Sequence, residues 1–289
     1  MLGGPPRAGT VAASMARAAE FAYPTVDVAD IRIISYLPNP RLFKATIAAR
    51  YSGAVIETLG DAPTAMPGWL WDYEAREMTE ADKSELSKFA RTAKTGFQGT
   101  LYKTDAFLEA NPFGDIPAAF GEDGRVGLFE SNSIMRAAAR LGPNAPALYG
   151  NTPLQQSRVD AFLDRTLLFA RDIQTYILAG QSFSSAVHET MQASFSSYLA
   201  GIEQSLSHTR YIAGAELSLA DVVFACELCL LTNERYMSER LQEHGLPAIL
   251  PQLRDYPGSH RHLGSLVSIA EFDIDLNAYR AHLPLGPHR

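Results

Sequence analysis

A chain of 289 residues, 46% apolar and 20% charged, has material for one large domain or two small ones with ample core. A net charge of −7 and a pI near 5.5 argue against a nucleic-acid partner, which would want a basic face. No run of about 18 apolar residues is present, so no segment reads as a membrane span.

Residues 1–30 are rich in Ala, Gly and Pro and read as a flexible tail. Val11-Ala12-Ala13 is too weak for the core of a signal peptide, and Arg17 and Glu20 follow closely. Met15 reads as a candidate for an alternative start. Residues 31–36 form a β-branched apolar run and predict a first strand, broken by Leu37-Pro38-Asn39-Pro40. Residues 42–51 predict a helix ended by Ser52-Gly53, and residues 55–59 a second strand. Strand, helix and parallel strand make a βαβ unit. Residues 60–97 then form a long insert holding both tryptophans, Trp69 and Trp71, beside Tyr73. A helix over 80–91 is expected, with Thr79 as its cap and Asp82 as capping-box partner. A loop this long is usually functional or a partner surface; the other reading is that the tryptophans pin it to the body.

The densest signals lie in residues 104–140. Asp123-Gly124 supplies the φ > 0 position of a tight turn between strands over 116–120 and 125–129. Pro117 cannot donate to a ladder, so it belongs at a strand start, with a bond to Ile116 that a cis isomer would suit. Ser131 opens the next helix. Its free N–H groups and partial positive charge suit a bound carboxylate, and Glu130 beside it offers an anion. The plainer reading of this pair is helix capping.

Gly142-Pro143-Asn144-Ala145-Pro146 reads as a linker, after which the chain turns helical. Val159, Phe162, Leu163, Thr166, Leu167, Ala170, Ile173 and Ile177 recur at helical spacing, and Phe195, Tyr198, Leu199, Ile202 and Leu206 repeat the pattern. Ser218 with Asp221 marks a third helix start as a capping box. Cys226 and Cys229 sit inside its apolar run and read as small buried hydrophobes, which fits a reducing cytoplasm. His260 and His262 read as solvated residues of a polar turn. No metal motif and no phosphate loop appears in the sequence.

Several of these motifs, in this order, resemble the cytosolic glutathione S-transferase superfamily. Lys103 through Pro117, with Asn111-Pro112-Phe113-Gly114, resembles its phi and theta classes, and Glu130-Ser131 matches its helix start. Arg41 to Gly53 resembles the gamma subunit of translation elongation factor 1, which carries the same fold at its N-terminus. The resemblance covers residues 31–59 and 99–231. It implies an α/β thioredoxin-like domain over 31–142, with the insert at 60–97, followed by an all-α domain over 149–289. It also implies glutathione as co-substrate, a hydrophobic electrophile, a dimer and a cytoplasmic location.

On this resemblance Lys103 is the cation for the glycine carboxylate of glutathione. Ile116, before Pro117, offers its N–H and C=O to the cysteinyl residue, and Glu130 and Ser131 hold the γ-glutamyl end. A free thiol has a pKa of about 8.5, so a transferase must favour the thiolate. The position that carries Tyr, Ser or Cys in the catalytic classes falls on Asn39, whose amide donates but cannot yield a proton. Tyr36 is a second candidate for this role, and Arg41 faces ligand or solvent. Residues 157–178 are expected to wall the electrophile pocket, with Arg165, Phe169 and Tyr176 as candidates. Trp69, Trp71 and Tyr73 hint at an aromatic substrate, and glutathione-dependent aryl ether cleavage is one class the resemblance admits. The alternative is a non-catalytic module serving assembly, as in the elongation factor. That subunit carries a further C-terminal domain, which this chain is expected to lack, and this tilts the expectation toward an enzyme.

Overall fold

The computed structural model of the chain describes residues 29–94 and 96–286. The tail expected over 1–30 lies almost wholly outside them. By packing, the chain divides into two compact units. Of the described residues, one comprises 29–39 together with 55–94 and 96–129, the other Pro40–Ala54 and 130–286.

The first unit is built on two four-stranded sheets. β1 (Ile31–Ile34) pairs in parallel with β2 (Ile56–Leu59), Ile31 opposite Ile56, as the βαβ pattern requires. The Arg32–Glu57 ion pair spans the same register. On its other side β1 runs antiparallel to β7 (Ala118–Phe120), which forms the expected hairpin with β8 (Gly127–Leu128). Gly124 has φ +73° in the turn, and the Ile116–Pro117 bond is cis.

The insert builds the second sheet, in the order β4-β3-β6-β5: β3 (Trp69–Trp71), β4 (Arg76–Glu77), β5 (Ala90–Thr92) and β6 (Thr100–Lys103). Trp71 is fully buried and donates its indole N–H to the Met66 carbonyl at 3.1 Å. It joins Ile34, Leu101, Phe107, Ala118 and Phe120 in one core that draws on both sheets. The insert is thus part of the body of this unit. The helix expected over 80–91 is corrected: α2 (Glu80–Glu85) has the Thr79–Asp82 capping box but stops after six residues. Its continuation is instead recruited as β5, which pairs antiparallel with β6 from Ala90 to Thr92. Ladder pairing thus outweighs the modest helix propensity of Ser84 and Ser87. α3 (Asp105–Ala110) follows β6, capped by Thr104.

The second unit is helical: α1 (Pro40–Ser52), α4 (Ser131–Arg140), α5 (Pro153–Ile177), α6 (Ser185–Leu206), α7 (Leu219–Leu231), α8 (Ser238–Glu243), α9 (Pro257–Leu266) and α10 (Ala270–Arg280). Every residue of α7 is buried, which explains a helix apolar on all sides, and α1 packs on both α4 and α7. The Ser218–Asp221 capping box opens α7. Burial on α5 falls at Val159, Leu163, Thr166, Phe169, Ala170, Ile173 and Tyr176, whereas Leu167 of the expected stripe is exposed. Cys226 and Cys229 are buried in α7, where loss of solvent pushes both thiols up. The histidines depart from expectation. Pro257 opens a helix where a polar turn was expected, and His262 on it lies within 2.7 Å of the Asp221 carboxylate, while His260 meets the Pro284 carbonyl at 2.8 Å.

Candidate functional site

The predicted site residues fall into both units. Asn39, Lys103, Ile116 and Pro117 belong to the first; Glu130 and Ser131 belong to the second.

Asn39 is fully buried. Its amide donates to Ser35 Oγ at 3.0 Å, and Ser35 in turn donates to the Tyr36 carbonyl at 3.0 Å. The chain is tight here: a Cβ on Gly60 would lie 1.7 Å from the Ser35 carbonyl oxygen. One hydrogen of the Asn39 amide thus serves the local fold. Tyr36 packs against the core of the first unit, 6.3 Å from the ring of Phe97.

Lys103 closes β6. Its Nζ donates to the Gly114 carbonyl at 2.6 Å and lies 4.8 Å from the centre of the Trp71 ring. Burial lowers its pKa; Asp115 nearby opposes that and Lys94 adds to it. Asn-Pro-Phe-Gly is the loop that holds it. Asn111 donates to the Asp115 carbonyl and accepts from the Gly114 N–H, and Gly114 adopts φ +68°. Two of the three ammonium protons remain for an anion. Ile116 and Pro117 are half-buried at the entry to β7.

Glu130 is the N-cap of α4, exposed, and held at φ 67°. This is a left-handed conformation that costs a non-glycine residue roughly 1–3 kcal/mol and tends to mark functional positions. Its carbonyl accepts from the N–H groups of Ser133 and Ile134, so it is truly the first turn of the helix. Its carboxylate does not cap that turn. The capping reading is therefore half met: the backbone of Glu130 caps, while its side chain is left to other use.

Ser131 is 8% exposed, and its Oγ accepts from Lys44 Nζ at 3.0 Å. Lys44 is itself buried and reaches Asn132 Oδ1 at 3.0 Å and Glu227 Oε1 at 2.6 Å. Burial alone would push the Glu227 carboxyl up, but Lys44 and Arg41 outweigh it and hold the carboxyl below its usual value. Arg41, left between ligand and solvent by the sequence, has Nε 3.4 Å from Glu227 Oε1 and donates to Gln174 Oε1 and the Ala170 carbonyl.

Sequence reasoning missed Lys44 and Glu227. The signal was there: each is a charge embedded in an otherwise apolar helical run, and buried charges must pair. Of the residues proposed to wall an electrophile pocket, Phe169 and Tyr176 are buried. Phe169 stacks on Tyr198 at 4.3 Å and Tyr176 donates to Glu234 at 2.7 Å, so both are spent on the core of the helical unit. Arg165 is exposed and donates to Ser197 Oγ.

No family model matches the chain. Elongation factor 1-gamma 1 of Oryza sativa is 26% identical over 200 residues, 66% of this chain and 38% of that protein. Elongation factor 1-gamma of Danio rerio is 28% identical over 206 residues, 70% of this chain and again 38% of the relative. The chain thus spans under two fifths of the length of these curated relatives. Among solved structures, a glutathione S-transferase of Methylobacillus flagellatus with glutathione bound aligns with a TM-score of 0.57 at 17% identity, over 85% of this chain and 98% of that one. Glutathione S-transferase-I bound with lactoylglutathione aligns at 0.56 and 18% identity, over 88% of this chain and 100% of the other. Glutathione transferase F2 of Populus trichocarpa aligns at 0.54 and 15% identity, over 87% and 99%. The fold is that of the glutathione transferases, an α/β N-terminal part followed by an all-helical one, and the sequence resembles elongation factor 1-gamma. Among the described residues no helix is long and apolar enough to cross a membrane.

Proposed function

We propose that this chain is a glutathione transferase-type protein of the cytoplasm, working as a dimer, that takes the γ-glutamyl end of glutathione at the start of α4. The observation that carries the reading is Ser131. The residue is more than nine-tenths buried, its hydroxyl accepts from Lys44, and the hydroxyl proton meets no acceptor among the described residues. Beside it the exposed, strained Glu130 offers an anion. An α-ammonium and an α-carboxylate on one carbon suit such an adjacent pair, and the partial positive charge of the helix start adds to it. Lys103 as cation for the second carboxylate, and Ile116 before Pro117 as partner of the cysteinyl backbone, rest on the family resemblance.

In this reading the thiol attacks a hydrophobic electrophile, and the protein's task is to hold the thiolate. Asn39, the residue proposed to face the sulfur, spends one amide hydrogen on Ser35, and the α1 N-terminus adds the favourable dipole. Trp71 is core, so Trp69 and Tyr73, both half-buried, are what the insert offers toward an aromatic substrate such as an aryl ether.

A second reading, a glutathione transferase-like module that serves assembly without turnover, is favoured by the similarity to elongation factor 1-gamma and by the burial of Asn39. Calorimetric titration with glutathione, followed by a conjugation assay with 1-chloro-2,4-dinitrobenzene, separates the two. Binding with turnover supports the enzyme, and binding without turnover on any of a panel of aryl and alkyl electrophiles supports the module. An absence of binding refutes the glutathione reading in both forms.

A further inference from the structure

Lys44 is the one basic residue in the middle of α1, with a side chain 1% exposed. An ammonium has three donors and no acceptor. All three are used: Ser131 Oγ and Asn132 Oδ1 at 3.0 Å, and Glu227 Oε1 at 2.6 Å. Asn132 is fixed from the other side, since its amide donates to the Leu163 carbonyl at 3.2 Å. The cluster therefore has a single proton arrangement.

That arrangement has a consequence for Ser131. A hydroxyl has one proton and two lone pairs, and toward Lys44 it must offer a lone pair. Its proton therefore points away from Lys44, and no other acceptor for it lies among the described residues. We infer that Lys44 is a positioning residue: by occupying a lone pair of Ser131, it locks that hydroxyl as an outward donor at the start of α4 and so selects a carboxylate over an uncharged group. The inference rests on the reading that the α-carboxylate of glutathione is taken here; it adds the residue that makes Ser131 a donor. Because Glu227 neutralises Lys44 locally, the effect is on the orientation of the hydroxyl rather than through a long-range field.

Without Lys44 the hydroxyl is a free rotor. With a glutamine at 44 it has an internal acceptor and turns inward, presenting a lone pair to the ligand. A carboxylate then loses its donor, and a carboxamide, which has N–H groups to give, gains an acceptor.

The test compares glutathione with its analogue carrying a carboxamide at the γ-glutamyl α-carboxylate, by calorimetry. The wild-type protein, Lys44→Gln/Glu227→Gln and Ser131→Ala are each first checked for a cooperative melt. The wild type is expected to prefer glutathione by about tenfold or more, the scale of a charge-assisted hydrogen bond. The double variant and Ser131→Ala are each expected to fall below about threefold, since the oriented donor is gone from both. A general structural loss would weaken both ligands and leave the ratio alone. If the double variant does not fold, Lys44→Met/Glu227→Met replaces the buried pair by apolar volume, an exchange that such pairs often tolerate; it leaves the hydroxyl a free rotor, and its preference for glutathione is expected to fall below that of the wild type. A folded double variant that keeps the wild-type ratio overturns the inference while leaving the glutathione reading standing, whereas an unchanged ratio in Ser131→Ala overturns both. A wild-type protein that takes up no glutathione overturns the reading, and the inference with it.

Discussion

Asn39 and Ser131 are both buried polar residues where the chain enters a helix, and the sequence assigns both to one ligand. They differ in where their hydrogens go. The Asn39 amide donates one hydrogen to Ser35, which gives its own proton to the Tyr36 carbonyl, so this chain of donors runs into the first unit. Ser131 is met by Lys44, which can only donate, so its proton is turned outward. Burial alone therefore does not mark a ligand-binding group. What matters is whether the neighbours consume its donor or fill its acceptor, and that depends on residues far off in sequence, such as Lys44 and Glu227.

The largest expected effect tests the support behind Ser131. Glu227→Leu leaves Lys44 as an uncompensated buried charge and should destabilise the protein by about 3–5 kcal/mol in denaturant unfolding. Adding Lys44→Met should recover most of that loss, and a failure to recover would mean that the pair is not the main source of the cost. Next in size, Ser131→Ala should weaken glutathione binding by about 1.5–3 kcal/mol, the scale of a hydrogen bond to a charged group, with the melt little changed.

Asn39→Ala should act on the other side of the comparison. Removing the donor to Ser35 should cost about 1–2 kcal/mol of stability. Ultraviolet absorbance of bound glutathione against pH should show the thiol titrating as in wild type. A titration that moves up toward the free value would restore Asn39 to the chemistry and break the comparison.

The smallest effect is a pH dependence. The folded-state pKa of Glu227 lies below its unfolded value, through Lys44 and Arg41 acting against burial. The stability it contributes is thus complete above the unfolded carboxylate range and lost as pH falls through the folded value. Glu227→Gln should flatten that part of the acid limb in a denaturation series; an unchanged limb would assign it to other carboxylates.

Legibility in the sequence followed the range of the interactions. The β1–α1–β2 passage, the Asp123-Gly124 hairpin and the Thr79 and Ser218 capping boxes are set by neighbours within a few residues, and each could be read directly. The second sheet could not. Its strands are two to four residues long, too short to show a period, and β3 and β6 find each other across almost thirty residues. The helix expected over 80–91 was lost to the same sheet. At the candidate site, Glu130 and Ser131 were visible as a helix start, and Lys103 through its resemblance. The burial of Asn39 was not visible, because it is set by packing rather than by its immediate neighbours in sequence.

The central claim is that glutathione is taken at the start of α4. Backbone amide resonances followed during a glutathione titration address it most directly. The account predicts saturable binding with the largest shifts at Glu130, Ser131 and Asn132, and a midpoint about tenfold or more higher in Ser131→Ala. Saturable binding that leaves these amides unmoved, or no binding at all, would contradict it.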